Sequence, residues 1–174
     1  WLKPDFALWV VGQSGTRKST LTALFMAHYG DFFDKSDLPG SWESTDNAIE
    51  KLLFELKDVL VCVDDYAPRA DSVEQRKQAG RAQRVIRQMG NSTGRGRLRA
   101  DLSIRPDRPP RGLMISTGED LPPGQSVMAR VLAIEVVSGS VDLTKLSSAQ
   151  METAQLTHAM AGYIDWLKPR VNSL

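Results

Sequence analysis

The chain has little of the usual zinc-ligand chemistry: one cysteine and two histidines. Cys62 has no second cysteine to pair with, which excludes an intrachain disulfide. Its setting, Val59-Leu60-Val61-Cys62-Val63, reads as a buried core thiol. His28 and His158 stand apart from cysteine clusters and spaced carboxylates, so no zinc site is indicated. No apolar run approaches the roughly 18 to 20 residues that a membrane helix needs. No signal peptide is visible either, and a cytoplasmic protein with no membrane partner is the expectation. Because the chain opens at Trp1 without methionine, it is expected to be a single domain, residues 1–174, excised from a longer protein.

What the chain does have is the size and composition of one globular domain: 174 residues, 41% hydrophobic and 25% charged. The net charge of +1 conceals an asymmetry. Residues 69–111 carry twelve Lys/Arg against four Asp/Glu, and the remainder carries ten against seventeen. Such a segment suits a polyanion.

The organising stretch runs from Phe6 to Thr22. Phe6 to Val11 is an apolar run that predicts a buried strand. The loop Gly12-Gln13-Ser14-Gly15-Thr16-Arg17 follows, and Lys18-Ser19-Thr20 opens a helix to Tyr29, ended by Gly30. Strand, small-residue loop and helix in that order are the context of a phosphate-binding loop. Successive main-chain N–H groups form a concavity for anionic oxygens, and the helix N-terminus adds partial positive charge. Lys18 then reaches the β- and γ-phosphates, and the Ser19 hydroxyl ligates Mg²⁺. One residue departs from the usual G-x-x-x-x-G-K-[ST]: Arg17 stands where glycine is usual. Arginine lacks glycine's freedom of φ and its close backbone approach, so its side chain is expected to point outward. A Gly/Ser/Thr turn capping an ordinary helix is the competing interpretation of the loop alone.

Ser44 or Thr45 caps a second predicted helix with Ile49, Leu52, Leu53 and Leu56 facing inward. The Val-rich run Val59 to Val63 predicts a buried parallel strand tipped by Asp64-Asp65. An acidic pair there completes a nucleotide site: Asp64 for the metal, Asp65 to polarise the attacking water. A long polar helix over Ser72 to Met89 carries Arg76, Lys77, Arg81, Arg84 and Arg87, which a solvated face also explains. From Gly94 to Arg105, arginines alternate with small or apolar residues, predicting an extended strand or hairpin with Arg95, Arg97, Arg99 and Arg105 on one side. Such a row suits a nucleic-acid backbone; protection of a strand edge from aggregation is the alternative. Gly112 to Gly118 predicts another strand tipped by Ser116 and Thr117, small polar residues suited to sense a γ-phosphate or position water; plain punctuation of a core strand is the alternative. A short helix, the strand Val131 to Val137 and a closing helix from Ser147 to Lys168, stopped by Pro169, complete the chain.

Taken together, Gly12-Gln-Ser-Gly-Thr-Arg-Lys-Ser, Trp42-Glu-Ser-Thr-Asp-Asn-Ala-Ile-Glu, Val61-Cys-Val-Asp-Asp-Tyr-Ala-Pro, Gly90-Asn-Ser-Thr-Gly-Arg-Gly-Arg, Ser116-Thr-Gly-Glu-Asp and Ala129-Arg130 resemble the ATPase domain of primase–helicase-like proteins of phages and mobile elements. That group is similar to AAA+ and superfamily 3 helicases. The resemblance spans about residues 6–168. It implies a P-loop NTPase fold: three αβα layers, a mainly parallel sheet and an inserted basic β-hairpin over residues 94–111. It also implies ATP and Mg²⁺ as ligands, single-stranded DNA as partner, and assembly into a ring, a hexamer being expected. Thr117 lies where such ATPases carry a polar sensor. Arg130 matches the arginine that reaches a neighbouring subunit's γ-phosphate. The leading expectation is a helicase-like motor ATPase. A P-loop signalling or defence switch and a degenerate, non-hydrolysing nucleic-acid-binding module are the alternatives, and a P-loop small-molecule kinase is the weakest.

Overall fold

The computed structural model describes residues 4–67, 72–96, 101–103 and 106–171. Four strands, β1 (Ala7–Val11), β2 (Leu60–Tyr66), β3 (Leu113–Gly118) and β4 (Val131–Glu135), form one sheet in the order β2-β3-β1-β4, and every pairing is parallel. Helices α1 (Lys18–Met26), α2 (Asp46–Glu55), α3 (Ser72–Asn91) and α4 (Gln125–Met128) lie between them, and α5 (Leu143–Met151) and α6 (Thr153–Val171) follow.

Strand alternation explains why both sheet faces are covered. Successive side chains point to opposite faces. Ala7 and Trp9 of β1, Val61 and Val63 of β2, and Met114 of β3 join one core with Ile49, Leu53, Val85, Ile86 and Met89. Val10, Cys62 and Ile115, on the alternate positions, join Met26 and Val136 in a second core. Two cores on two faces make a layered α/β domain, and the continuous apolar runs of the strands follow from it. Cys62 is fully buried, and that burial pushes its thiol above the ordinary range.

The sheet departs from the sequence expectation in one functionally important place. β2 does not stop at Val63 but continues through Asp64 and Asp65 to Tyr66, which pairs with Gly118 across a register shift. Asp65 absorbs the extra residue with φ 64°. A bulge of this kind re-aims a side chain at a strand tip.

The C-terminal region differs more. The single closing helix is two helices, because Asp142 caps α5 early by accepting from the Thr144 and Lys145 amides, and Glu152 (φ −109°) breaks the run. Pro169 does not stop α6, which runs to Val171. A proline in the last turn loses one backbone bond, here the one to Asp165, and too little helix remains for the loss to matter. No residue of α6 is buried; it is tied down where Thr157 Oγ1 donates to Ala27 O at 2.6 Å. Ala27–Tyr29, at the end of the first predicted helix, tighten into a 3₁₀ turn.

Candidate active site

Parallel strands bring their carboxyl ends to one edge, and the loops leaving that edge meet there. β1 delivers Gly12 to Arg17, β2 delivers Asp64 and Asp65, and β3 delivers Ser116 and Thr117. A cavity of about 210 Å³ opens between them, lined by Ser14, Gly15, Arg17, Lys18, Ser19, Thr20, Lys35, Asp65, Thr117, Gly118 and Glu119.

The loop is shaped by close approach and by two left-handed residues. A Cβ on Gly12 would lie 2.3 Å from Val136 O, so only glycine fits beneath β4's exit. Gly15 has φ 83°, and Thr16 folds back with Oγ1 donating to Gln13 O at 2.8 Å. Arg17 takes φ 73° and ψ 19°. That is the left-handed conformation that favours glycine, and arginine adopts it with its side chain exposed at the cavity rim. Its carbonyl accepts the first helical bond, from Leu21 N at 2.9 Å, which leaves the amides of Lys18, Ser19 and Thr20 without intrahelical partners. The Lys18 ammonium donates to Gly12 O (2.7 Å) and Gln13 O (2.8 Å), so one of its three N–H groups remains.

Across the cavity, one carboxylate gathers the constellation. Asp64 Oδ1 accepts the Ser19 hydroxyl at 3.0 Å and also the Thr117 hydroxyl. Thr117 Oγ1 in turn accepts the Asp65 amide at 3.1 Å, so this one side chain fixes both acids. Ser19 and Asp64 are hard oxygen donors in direct contact, a set that fits Mg²⁺, which binds through few protein oxygens and keeps several waters. Asp65 sits on the cavity wall with its carboxyl raised above the ordinary value. Partial burial is the first cause, followed by the charges of Asp64, Glu43 and Glu119; Lys18 opposes them.

The acidic tip is held from behind. Trp42, fully buried, donates its indole N–H to Ser116 Oγ at 2.7 Å, and that hydroxyl donates to Val63 O at 2.9 Å. The Trp42 amide donates to Asp64 O (3.0 Å) and the Asp64 amide to Gly40 O (2.8 Å). Trp9 and Tyr66 pack on Trp42 with centroids at 5.7 and 5.8 Å. Arg81 reaches over this layer: it donates to Trp42 O and, through Nε at 2.7 Å, to Asp46 Oδ1, while Arg84 takes the other oxygen. Burial raises the Asp46 carboxyl, but the two guanidinium groups outweigh it and hold it below its ordinary value.

The structure therefore brings Ser14, Gly15, Arg17, Lys18, Ser19, Thr20, Asp64, Asp65 and Thr117 together, with Gly12, Gln13 and Thr16 shaping the loop. Arg130 is elsewhere. Its carbonyl accepts from Ala7 N at the start of β1, the opposite end of the strands, and its guanidinium donates to Ser126 O (2.6 Å) and Asn91 Oδ1 (3.1 Å). Arg95 is exposed, whereas Arg97, Arg99 and Arg105 lie outside the described residues; the described parts of 94–111 form no strand. Much of the basic surplus is engaged within the fold: Arg81 and Arg84 on Asp46, Lys77 on Glu74, Arg87 on Ser126, and Arg111 over the Phe54 ring at 4.0 Å. Sequence reasoning missed Lys35 as a cavity residue, because the polar loop that carries it has no periodicity to place it.

These features define a parallel α/β domain with a cationic loop and a paired-acid tip meeting at the carboxyl edge of its sheet. The chain belongs to the family described as Domain of unknown function (DUF927), which matches residues 4–108. No curated protein matches it. Among solved structures, SCCmec type IV Cch, described as an active helicase, superposes with a TM-score of 0.57 at 18% identity, over 95% of this chain and 30% of that one. The apo A form of the NrS-1 C-terminal region gives 0.52 at 15% identity, over 91% and 37%. These likenesses are of fold, and the chain spans about a third of each of those proteins. Among the described residues no helix is long and apolar enough to cross a membrane.

Proposed function

We propose that this domain binds and hydrolyses ATP as the motor of a helicase-like protein acting on single-stranded DNA. The observation that carries the reading is the shared Asp64 oxygen at the tip of β2, which accepts from the first turn of α1 through Ser19 and from the end of β3 through Thr117. A phosphate loop and an acidic strand tip have to meet in this way for a metal-bound triphosphate to lie between them.

Phosphoryl transfer of this class needs positioning and charge stabilisation more than covalent chemistry. The free amides of α1's first turn and the remaining Lys18 proton bind the phosphate tail. Ser19 and Asp64 hold Mg²⁺, which neutralises charge on the phosphates when bound. Asp65 accepts the proton of the attacking water, and its raised carboxyl makes it a stronger base than an ordinary aspartate. Thr117 keeps the two acids in register. Arg130, at the far end of the strands, acts on the nucleotide of a neighbouring copy, which makes a ring assembly, such as a hexamer, the active form. Arg95 with Arg97, Arg99 and Arg105 contacts the DNA backbone. The likeness in fold to a protein described as an active helicase supports this reading.

The test is ATP turnover with and without single-stranded DNA, in the wild type and in Lys18→Ala. DNA-stimulated turnover that disappears in the variant is the expected result. Turnover undiminished in Lys18→Ala refutes the site. Nucleotide-driven assembly without DNA stimulation selects a signalling switch instead.

A further inference from the structure

A second cavity, of about 410 Å³, lies against the first between the turn at residues 34–36 and helix α5. Arg17, Thr20 and Lys35 line both, so the two spaces meet along those three residues. The chemistry changes across the seam. On the far side, Leu143, Leu146, Ser147 and Gln150 recur at spacings of three and four, which places them on one face of α5. That face offers two aliphatic side chains, one hydroxyl and one amide carrying both a donor and an acceptor. Asp34 lines the same cavity: its Oδ1 accepts the Ser36 amide and hydroxyl, each at 2.6 Å, the Asp37 amide also acts on the carboxylate, and the lone pairs that remain can accept from a ligand.

We propose that this second cavity holds the nucleoside end of the ligand whose phosphates occupy the Lys18 cavity. The inference rests on the nucleotide reading above and goes beyond it by naming where base and sugar lie. Thr20 sits one residue past Ser19 in the first turn of α1, so the phosphate chain passes it on leaving the loop. Leu143 and Leu146 supply an apolar wall for a planar ring. Gln150 and Ser147 address the ring's polar edge, and the Asp34 carboxylate accepts a sugar hydroxyl. Arg17 and Lys35 border the passage. No carboxylate lies within ion-pair distance of either among the described residues; Lys35 acts on the neighbouring Asp34, and both cations border the space where the phosphates between the two ends would run. Leu143 is 56% exposed in the structure, an aliphatic side chain that a stacked ring covers. This assignment also gives α5 a role the sequence did not suggest.

Equilibrium binding of Mg·ATP and of Mg·tripolyphosphate separates the two cavities, because tripolyphosphate has no nucleoside. Ser147 is exposed, so Ser147→Trp fills the second cavity without entering the core. Gln150→Ala, also at an exposed position, removes the polar partner and adds no bulk. For the wild type, ATP is expected to bind about tenfold or more tighter than tripolyphosphate. Ser147→Trp is expected to raise the ATP Kd about tenfold and leave that of tripolyphosphate within about twofold; Gln150→Ala does the same more weakly. ATP affinity unchanged in both variants, with tripolyphosphate still bound, overturns the nucleoside subsite and leaves the phosphate cavity standing. A wild type that takes neither compound refutes the phosphate cavity, and the subsite goes with it.

Discussion

Arg17→Gly separates what the fold wants at the loop's last residue from what the site wants. The left-handed backbone at Arg17, φ 73° and ψ 19°, costs an L-residue roughly 1–2 kcal/mol. Glycine removes that cost but gives back about 0.5–1 kcal/mol through its freer unfolded chain. The net is a stabilisation of about 0.5–1 kcal/mol, which for a domain of this size raises Tm by about 1–4 °C. Binding moves the other way. Arg17 lines the cavity rim, and a charge-assisted hydrogen bond to phosphate contributes about 1.5–3 kcal/mol. Its loss weakens Mg·ATP roughly 10- to 100-fold. Asparagine tolerates the same backbone without the charge, so Arg17→Asn should show the affinity loss with little change in Tm. The assays are thermal unfolding without ligand and equilibrium titration with Mg·ATP. An Arg17→Gly protein that melts below the wild type refutes the strain argument. Unchanged ATP affinity refutes the role given to the charge.

Two further predictions follow from the carboxylates. Asp65 must be deprotonated to act as a base, so turnover rises with pH through its raised pKa, and the acid limb lies above the ordinary value of 3.8. Glu119→Gln removes one of the charges that raise it and moves that limb to lower pH; an unmoved limb in the pH–rate profile contradicts Asp65 as the base. Asp46 has the opposite sign. Its pKa is lowered in the fold, so its stabilisation is present above the unfolded value and is lost as pH falls through the folded one. Asp46→Asn should cost about 1–3 kcal/mol at neutral pH, read from denaturant unfolding, and flatten the loss of stability in acid.

The legible parts of the sequence were those written in local pattern. The apolar run before Gly12, the Lys18-Ser19 helix start, the Thr45 cap and the acids after Val63 each state a structure within a few residues. What stayed hidden depends on partners far along the chain. Trp42 and Ser116 are 74 residues apart, and nothing local marks their hydrogen bond. The bulge at Asp65 arises because β2 must keep pairing with β3 as far as Gly118, a demand set by the partner strand. The arginines of α3 looked like a solvated face because the sequence does not show Asp46 opposite them. α5 and α6 were merged because apolar periodicity runs through Glu152, while the Asp142 cap that starts α5 lies outside the periodic stretch.

Titration of Mg·ATP into the wild type and into Lys18→Ala tests the central claim most directly, since it asks for the nucleotide site without requiring assembly or DNA. Saturable binding to the wild type is expected, and Lys18→Ala weakens it by at least about 100-fold while its unfolding transition stays in place. Equal affinity in the two proteins, or none in a folded wild type, contradicts that claim.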